Sequence, residues 1–99
     1  MCIHILGTST NMQKLNQIAQ KYKLIIIEDT CESLGAKYKK KYLGSFGSFG
    51  TFSFYYSHQI TCGEGGMIVC HNKEDYNILK TLRSHGWSRN TSFEKRFKK

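Results

Sequence analysis

The sequence predicts an α/β fold with a mostly parallel sheet, and three features carry that expectation. Leu24-Ile-Ile-Ile27 is a continuous branched run, the composition of a strand buried on both faces in a helix-covered parallel sheet. Ahead of it, Met12, Leu15, Ala19 and Tyr22 recur at helical spacing. Ahead of the helix, Cys2-Ile-His-Ile-Leu6 is short and apolar, and Gly7 ends it. Strand, helix and strand over residues 2–28 make a βαβ unit, for which a right-handed crossover is the rule.

The first helix is expected over residues 11–22, opened by a capping box in Thr10-Asn-Met-Gln13, with Thr10 as N-cap and Gln13 reaching back. The second strand ends in Glu28-Asp29, which puts Asp29 at its carboxyl end, where open α/β sheets place their ligands. Residues 36–43, Ala-Lys-Tyr-Lys-Lys-Lys-Tyr-Leu, read as a small exposed hairpin or loop. Gly44, Gly47 and Gly50 follow at a period of three, which calls for tight turns or close backbone packing. That spacing lacks the strand-to-helix setting of a dinucleotide fingerprint. Thr51-Phe-Ser-Phe-Tyr-Tyr56 is rich in strand formers, and Met67-Ile-Val-Cys70 is a further short strand. Asn72 can cap a last helix with Glu74 and Asp75 in its first turn, Tyr76, Leu79 and Leu82 as its apolar stripe, and Arg83 and Gly86 closing it.

At 99 residues, the chain supports one small domain at most, with a modest core. Its 39% apolar content sets it apart from disordered sequences. No apolar run is long enough to span a bilayer, and Met1–Gly7 lacks the basic lead of a signal peptide, so a cytoplasmic, non-membrane protein is expected. Cys2, Cys31, Cys62 and Cys70 show no zinc-ligand spacing, and reduced thiols are expected over a disulfide framework. The formal charge of +8 concentrates in Lys37-Tyr-Lys-Lys-Lys41 and in the tail Phe93-Glu-Lys-Arg-Phe-Lys-Lys99. No nucleic-acid motif accompanies it, so a solvated turn and a frayed terminus are favoured over a nucleic-acid partner.

Several residues have the chemistry of a site. Asp29 can accept a hydrogen bond from a cationic ring nitrogen, or it can cap a short turn around Glu32–Leu34. Ser53 and Ser57 flank the aromatic strand and could bind a phosphate. Glu64 stands between glycines in Gly63-Glu-Gly-Gly66, a backbone able to approach a ligand closely, or an ordinary loop. His58 could act as a base near neutral pH, or be a surface or satisfied core residue. His85 is placed to meet a helix dipole, and His4 and His71 have no partner visible in the sequence.

Taken in order and spacing, Glu28-Asp-Thr-Cys-Glu-Ser-Leu-Gly35, Gly44-Ser-Phe-Gly47, Gly50-Thr-Phe-Ser-Phe54, Gly63-Glu-Gly-Gly66 and Leu82-Arg-Ser-His-Gly86 resemble one family. It is the pyridoxal phosphate-dependent sugar aminotransferase family, DegT/DnrJ/EryC1/StrS. The resemblance runs over nearly all of residues 2–90, which match the middle of the family's large domain. It implies part of a three-layer α/β/α domain of fold type I, with residues 1–90 as a segment of the cofactor-binding domain and residues 91–99 as a basic tail, disordered or truncated. It implies that Asp29 pairs with the cofactor's pyridine nitrogen, that Glu32 lies near the ring and that Ser53 binds the cofactor phosphate.

Where that family carries its Schiff-base lysine, five residues after the serine, this chain has His58. An imidazole cannot form that covalent link. Histidine at this position resembles the 3-dehydratase branch, exemplified by enzymes acting on GDP-4-keto-6-deoxymannose. There, pyridoxamine phosphate meets an NDP-4-keto-6-deoxysugar and the sugar's C3 hydroxyl is lost. By that resemblance His58 is the base, and glutamate or a similar amino donor regenerates the cofactor. No metal is implied, since residues 87–99 hold no cysteines for a [2Fe–2S] cluster. Gln59 stands where a histidine is often found. Full-length relatives are homodimers with shared active sites, so the 99-residue chain is expected to be a slice of a larger enzyme, inactive alone. Amino transfer to a 4-keto sugar nucleotide, or an inactive basic remnant, are the alternatives.

Overall fold

The computed structural model describes residues 1–89, Thr91 and Phe93. Most of the expected basic tail at 91–99 lies outside the described residues. The chain divides into two compact units, Met1–Val69 and Cys70–Lys99.

In the first unit, β1 (Cys2–Ile3), α1 (Met12–Tyr22) and β2 (Ile27–Asp29) form the expected βαβ, with β1 and β2 parallel. β3 (Lys37–Tyr38) and β4 (Lys41–Tyr42) form the expected hairpin as a separate antiparallel pair. β5 (Phe49–Ser53) joins β2 in parallel, Glu28 facing Gly50 and Asp29 facing Thr51. β6 (Gly66–Cys70) completes a four-stranded sheet in the order β1-β2-β5-β6. The chain is α/β, as expected.

The strand expected over Thr51–Tyr56 starts earlier, at Phe49, and ends at Ser53, leaving Phe54, Tyr55 and Tyr56 outside the sheet. Three further boundaries differ from the sequence reading, each for a local reason. β1 stops at Ile3 because Leu6 and Gly7 take positive φ, 50° and 80°, and turn the chain so that Thr8 N–H donates to Ile5 O at 2.8 Å. β2 begins only at Ile27. Lys23 caps α1 in the left-handed region and Leu24 N–H donates back to Ala19 O at 2.8 Å, which keeps the branched run out of the sheet at its start. That run is not buried on both faces: Ile26 is 9% exposed, Ile25 70%. Asn11, not Thr10, is the N-cap of α1, its Oδ1 accepting from Lys14 N at 3.1 Å. The N–H of Thr10 is already committed to the His4 ring.

Met12, Ala19, Ile26 and Leu43 form the core, with Leu15, Tyr38 and Phe46 packed against it. The glycine period does what close backbone approach requires. A Cβ at Gly50 would collide with the backbone of Gly44, and one at Gly47 would lie 2.5 Å from the carbonyl oxygen of Ile26. The segment 44–50 is thereby folded tight on itself and against Ile26, just ahead of β2.

In the second unit, α2 (Lys73–Arg83) is capped as expected, Asn72 Oδ1 accepting from Asp75 N at 2.8 Å. Of its expected apolar stripe, Tyr76 and Leu82 are exposed, while Asn77 is the buried position. Among the described residues, no helix is long and apolar enough to cross a membrane.

Candidate active site

Alternation along β2 sends Glu28 and Asp29 to opposite faces of the sheet. Glu28 goes inward and is fully buried. An ionised carboxylate so placed is costly unless its oxygens are matched. Here they are: Oε1 accepts from the N–H groups of Phe46 and Gly47, both at 2.6 Å, and Oε2 from Gly44 N at 2.8 Å and His4 Nε2 at 3.2 Å. His4 is equally buried. Thr10 N–H donates to its Nδ1 at 3.3 Å, which leaves the ring proton on Nε2, aimed at Glu28. His4 therefore has a partner after all, 24 residues away. Ser33 completes the cluster, donating to His4 O at 2.7 Å and accepting from Gly7 N at 3.0 Å.

The other face belongs to Asp29. It is half-buried, at the carboxyl end of β2, and its Oδ1 accepts from Cys31 N at 3.1 Å. That hydrogen bond two residues on is an Asx turn, so the capping reading of Asp29 is realised in part. A carboxylate has about four acceptor positions, and the turn occupies one of them. The Cys31 thiol lies against the same carboxylate. Burial, then its hydrogen bond and charge contact with Asp29, push the thiol up to about 11 from its ordinary 9.0. At neutral pH it is a protonated donor, not a nucleophile. All four cysteines are free.

Ser53 ends β5, two residues beyond Thr51, the register partner of Asp29. Asp29 and Ser53 thus stand at the carboxyl ends of adjacent parallel strands. The Ser53 hydroxyl accepts from Tyr55 N at 3.2 Å, and among the described residues nothing takes its proton. Ser57 and Glu64 are exposed, and the Glu64 carbonyl accepts the Cys62 thiol at 3.3 Å.

His58 sits in the turn after β5, its N–H donating to Tyr55 O at 3.1 Å and its ring edge-on to Tyr55, with centroids 6.2 Å apart. Among the described residues, its Nδ1 is buried without a hydrogen-bond partner. Glu32 is exposed in the turn after β2, and its carbonyl accepts from Gln59 Nε2 at 3.1 Å. The turn bearing His58 and the turn following Asp29 therefore touch. The sequence reading missed Glu28 and His4 as parts of this arrangement, and it marked Gln59 only as standing where a histidine is often found. A carboxylate beside Asp29 was the one signal available for Glu28.

The chain is 44% identical over 90 residues to GDP-4-keto-6-deoxy-D-mannose 3-dehydratase of Escherichia coli O55:H7, covering 91% of this chain and 23% of that protein. It is 44% identical over 86 residues to GDP-perosamine synthase of Escherichia coli O157:H7, covering 87% and 24% of the two. The fold superposes with a TM-score of 0.83 on GDP-4-keto-6-deoxymannose 3-dehydratase with a trapped PLP–glutamate geminal diamine, at 44% identity over 89% of this chain and 23% of that one. The chain thus spans about a quarter of the length of the relatives it matches. The DegT/DnrJ/EryC1/StrS aminotransferase family pattern matches residues 1–99, and the chain belongs to that family.

Proposed function

We propose that this chain is the segment of a sugar-nucleotide 3-dehydratase that holds pyridoxal or pyridoxamine phosphate and carries the base, His58. The observation that carries the reading is the buried Nδ1 of His58, unpartnered among the described residues, beside the carboxyl edge of the sheet. A buried ring nitrogen without a partner is unfavourable unless another group meets it, and a cofactor seated there would meet it. Acceptor capacity left on Asp29 and an available Ser53 hydroxyl suit the ends of the same group. The relative with a trapped PLP–glutamate adduct supports both the cofactor and glutamate as amino donor.

Bound pyridoxamine phosphate would supply an amine for the 4-keto carbon of the sugar and a ring able to take up electrons. Asp29 would accept the hydrogen bond of the ring nitrogen and keep it protonated. Ser53 Oγ would donate to the phosphate, and Glu32 would stand beside the ring. His58 would take a proton onto an imidazole nitrogen and return one to the departing C3 hydroxyl, which leaves as water. It cannot hold the cofactor covalently as an amine does, so the cofactor stays exchangeable. The substrate would be an NDP-4-keto-6-deoxyhexose, and the assembled enzyme a cytoplasmic homodimer.

The test is a chimera in which residues 1–89 replace the matching segment of the Escherichia coli dehydratase, supplied with cofactor, glutamate and GDP-4-keto-6-deoxymannose. Mass analysis should find a product that has lost the C3 oxygen. A 4-amino sugar retaining that oxygen would assign the chain to amino transfer instead.

A further inference from the structure

The loop from Phe54 to Gly65 is held mostly by itself. Phe54 N donates to Gly65 O at 2.8 Å, Cys62 N to Phe54 O at 3.0 Å, Thr61 Oγ1 to Phe54 O at 3.2 Å and His58 N to Tyr55 O at 3.1 Å. Every one of these begins and ends within the loop, and none of them fixes the loop relative to Asp29. Among the described residues, the hydrogen bond that leaves the loop for the turn after β2 is Gln59 Nε2 to Glu32 O, at 3.1 Å across 27 residues. Gln59 is the immediate neighbour of His58, so whatever fixes its side chain fixes the backbone from which the imidazole projects.

We infer that Gln59 is a positioning residue, a clasp that sets the His58 imidazole over the Asp29 turn. Glu32 serves here through its backbone carbonyl, not its carboxylate. An amide donor on a carbonyl does not titrate, so the clasp itself does not depend on pH. This inference rests on the reading of His58 as the base for its catalytic meaning, though not for its structural test.

The four histidines make the intact 99-residue chain its own assay. His58 is half-buried, His71 and His85 are exposed, and His4 is fully buried. Carbethoxylation by diethyl pyrocarbonate, mapped by mass spectrometry, gives a rate for each ring. Gln59→Met removes the donor at nearly constant volume, and Gln59→Lys restores one on a stem of similar reach. With Gln59→Met, His58 labelling should quicken on the order of three- to tenfold, the ratio that losing one net hydrogen bond gives. His71 and His85 should keep their rates, His4 should stay protected, and Gln59→Lys should return His58 to the parent rate. Unchanged His58 labelling in Gln59→Met overturns the clasp. So does a rise at His4 together with His58, since that marks a general loss of fold. So does a Gln59→Lys variant that behaves like Gln59→Met. In the chimera, Gln59→Met should lower kcat with KM little changed. If His58 proves dispensable for turnover there while the labelling result holds, the base assignment fails and the clasp stands.

Discussion

Substitution of His58 by asparagine in the chimeric enzyme should slow loss of the C3 oxygen by about 10²–10⁴-fold, the range a positioned general base contributes. Asparagine keeps a polar side chain of similar bulk but exchanges no proton near neutral pH. The turn itself should survive, because the contacts that build it are backbone ones: His58 N–H to Tyr55 O, and the Phe54 pairings with Cys62 and Gly65. Asp29 and Ser53 would remain to hold the cofactor, and single-turnover kinetics at saturating cofactor separate the chemical defect from any lost contact of the imidazole with the cofactor. A variant within about tenfold of the parent rate would place the proton transfer on another group.

The largest effect on stability is expected at Glu28. Truncation to alanine would leave three backbone N–H groups, from Gly44, Phe46 and Gly47, and the His4 ring without their acceptor. Breaking a buried, hydrogen-bonded charge cluster costs about 3–5 kcal/mol. Whole domains are stable by only about 5–15 kcal/mol, and the buried apolar set here is small, so Glu28→Ala should leave the chain largely unfolded. Glu28→Gln is the sharper comparison. One amide oxygen can serve one side of the cluster, but the NH₂ then faces donors on the other. Urea titration followed by circular dichroism should place the glutamine variant at least about 2 kcal/mol below the parent, from unsatisfied buried donors. A glutamine variant within about 0.5 kcal/mol would mean that the carboxylate does not organise the 44–47 segment.

Local chemistry explains what the sequence made legible. The Asn72 cap of α2, the Lys37–Tyr42 hairpin and the body of α1 follow from residues within a turn of one another, and all three stand where they were expected. Strand limits did not follow, because they hinge on Leu6 and Lys23, non-glycine residues at positive φ that composition does not flag. His4 looked partnerless because its partner lies across the sheet, in a pairing that only the β1–β2 register creates. Asp29, Ser53 and His58 stood out through ordered motifs, and their roles remain the proposal made above. Gln59 was marked only by standing where a histidine is often found; its contact was not legible, since its acceptor is a backbone carbonyl, which every residue has.

The direct measurement is reductive trapping. The chimera is loaded with pyridoxal phosphate, reduced with borohydride and digested, and its peptides are searched for a cofactor adduct. With His58 in place the account predicts no stoichiometric adduct on residues 1–89 and full release of cofactor on denaturation, whereas His58→Lys should acquire one at position 58. A stoichiometric adduct on a lysine of this segment in the unsubstituted chain would contradict it, because a covalent tether would then exist and the imidazole would not be its replacement.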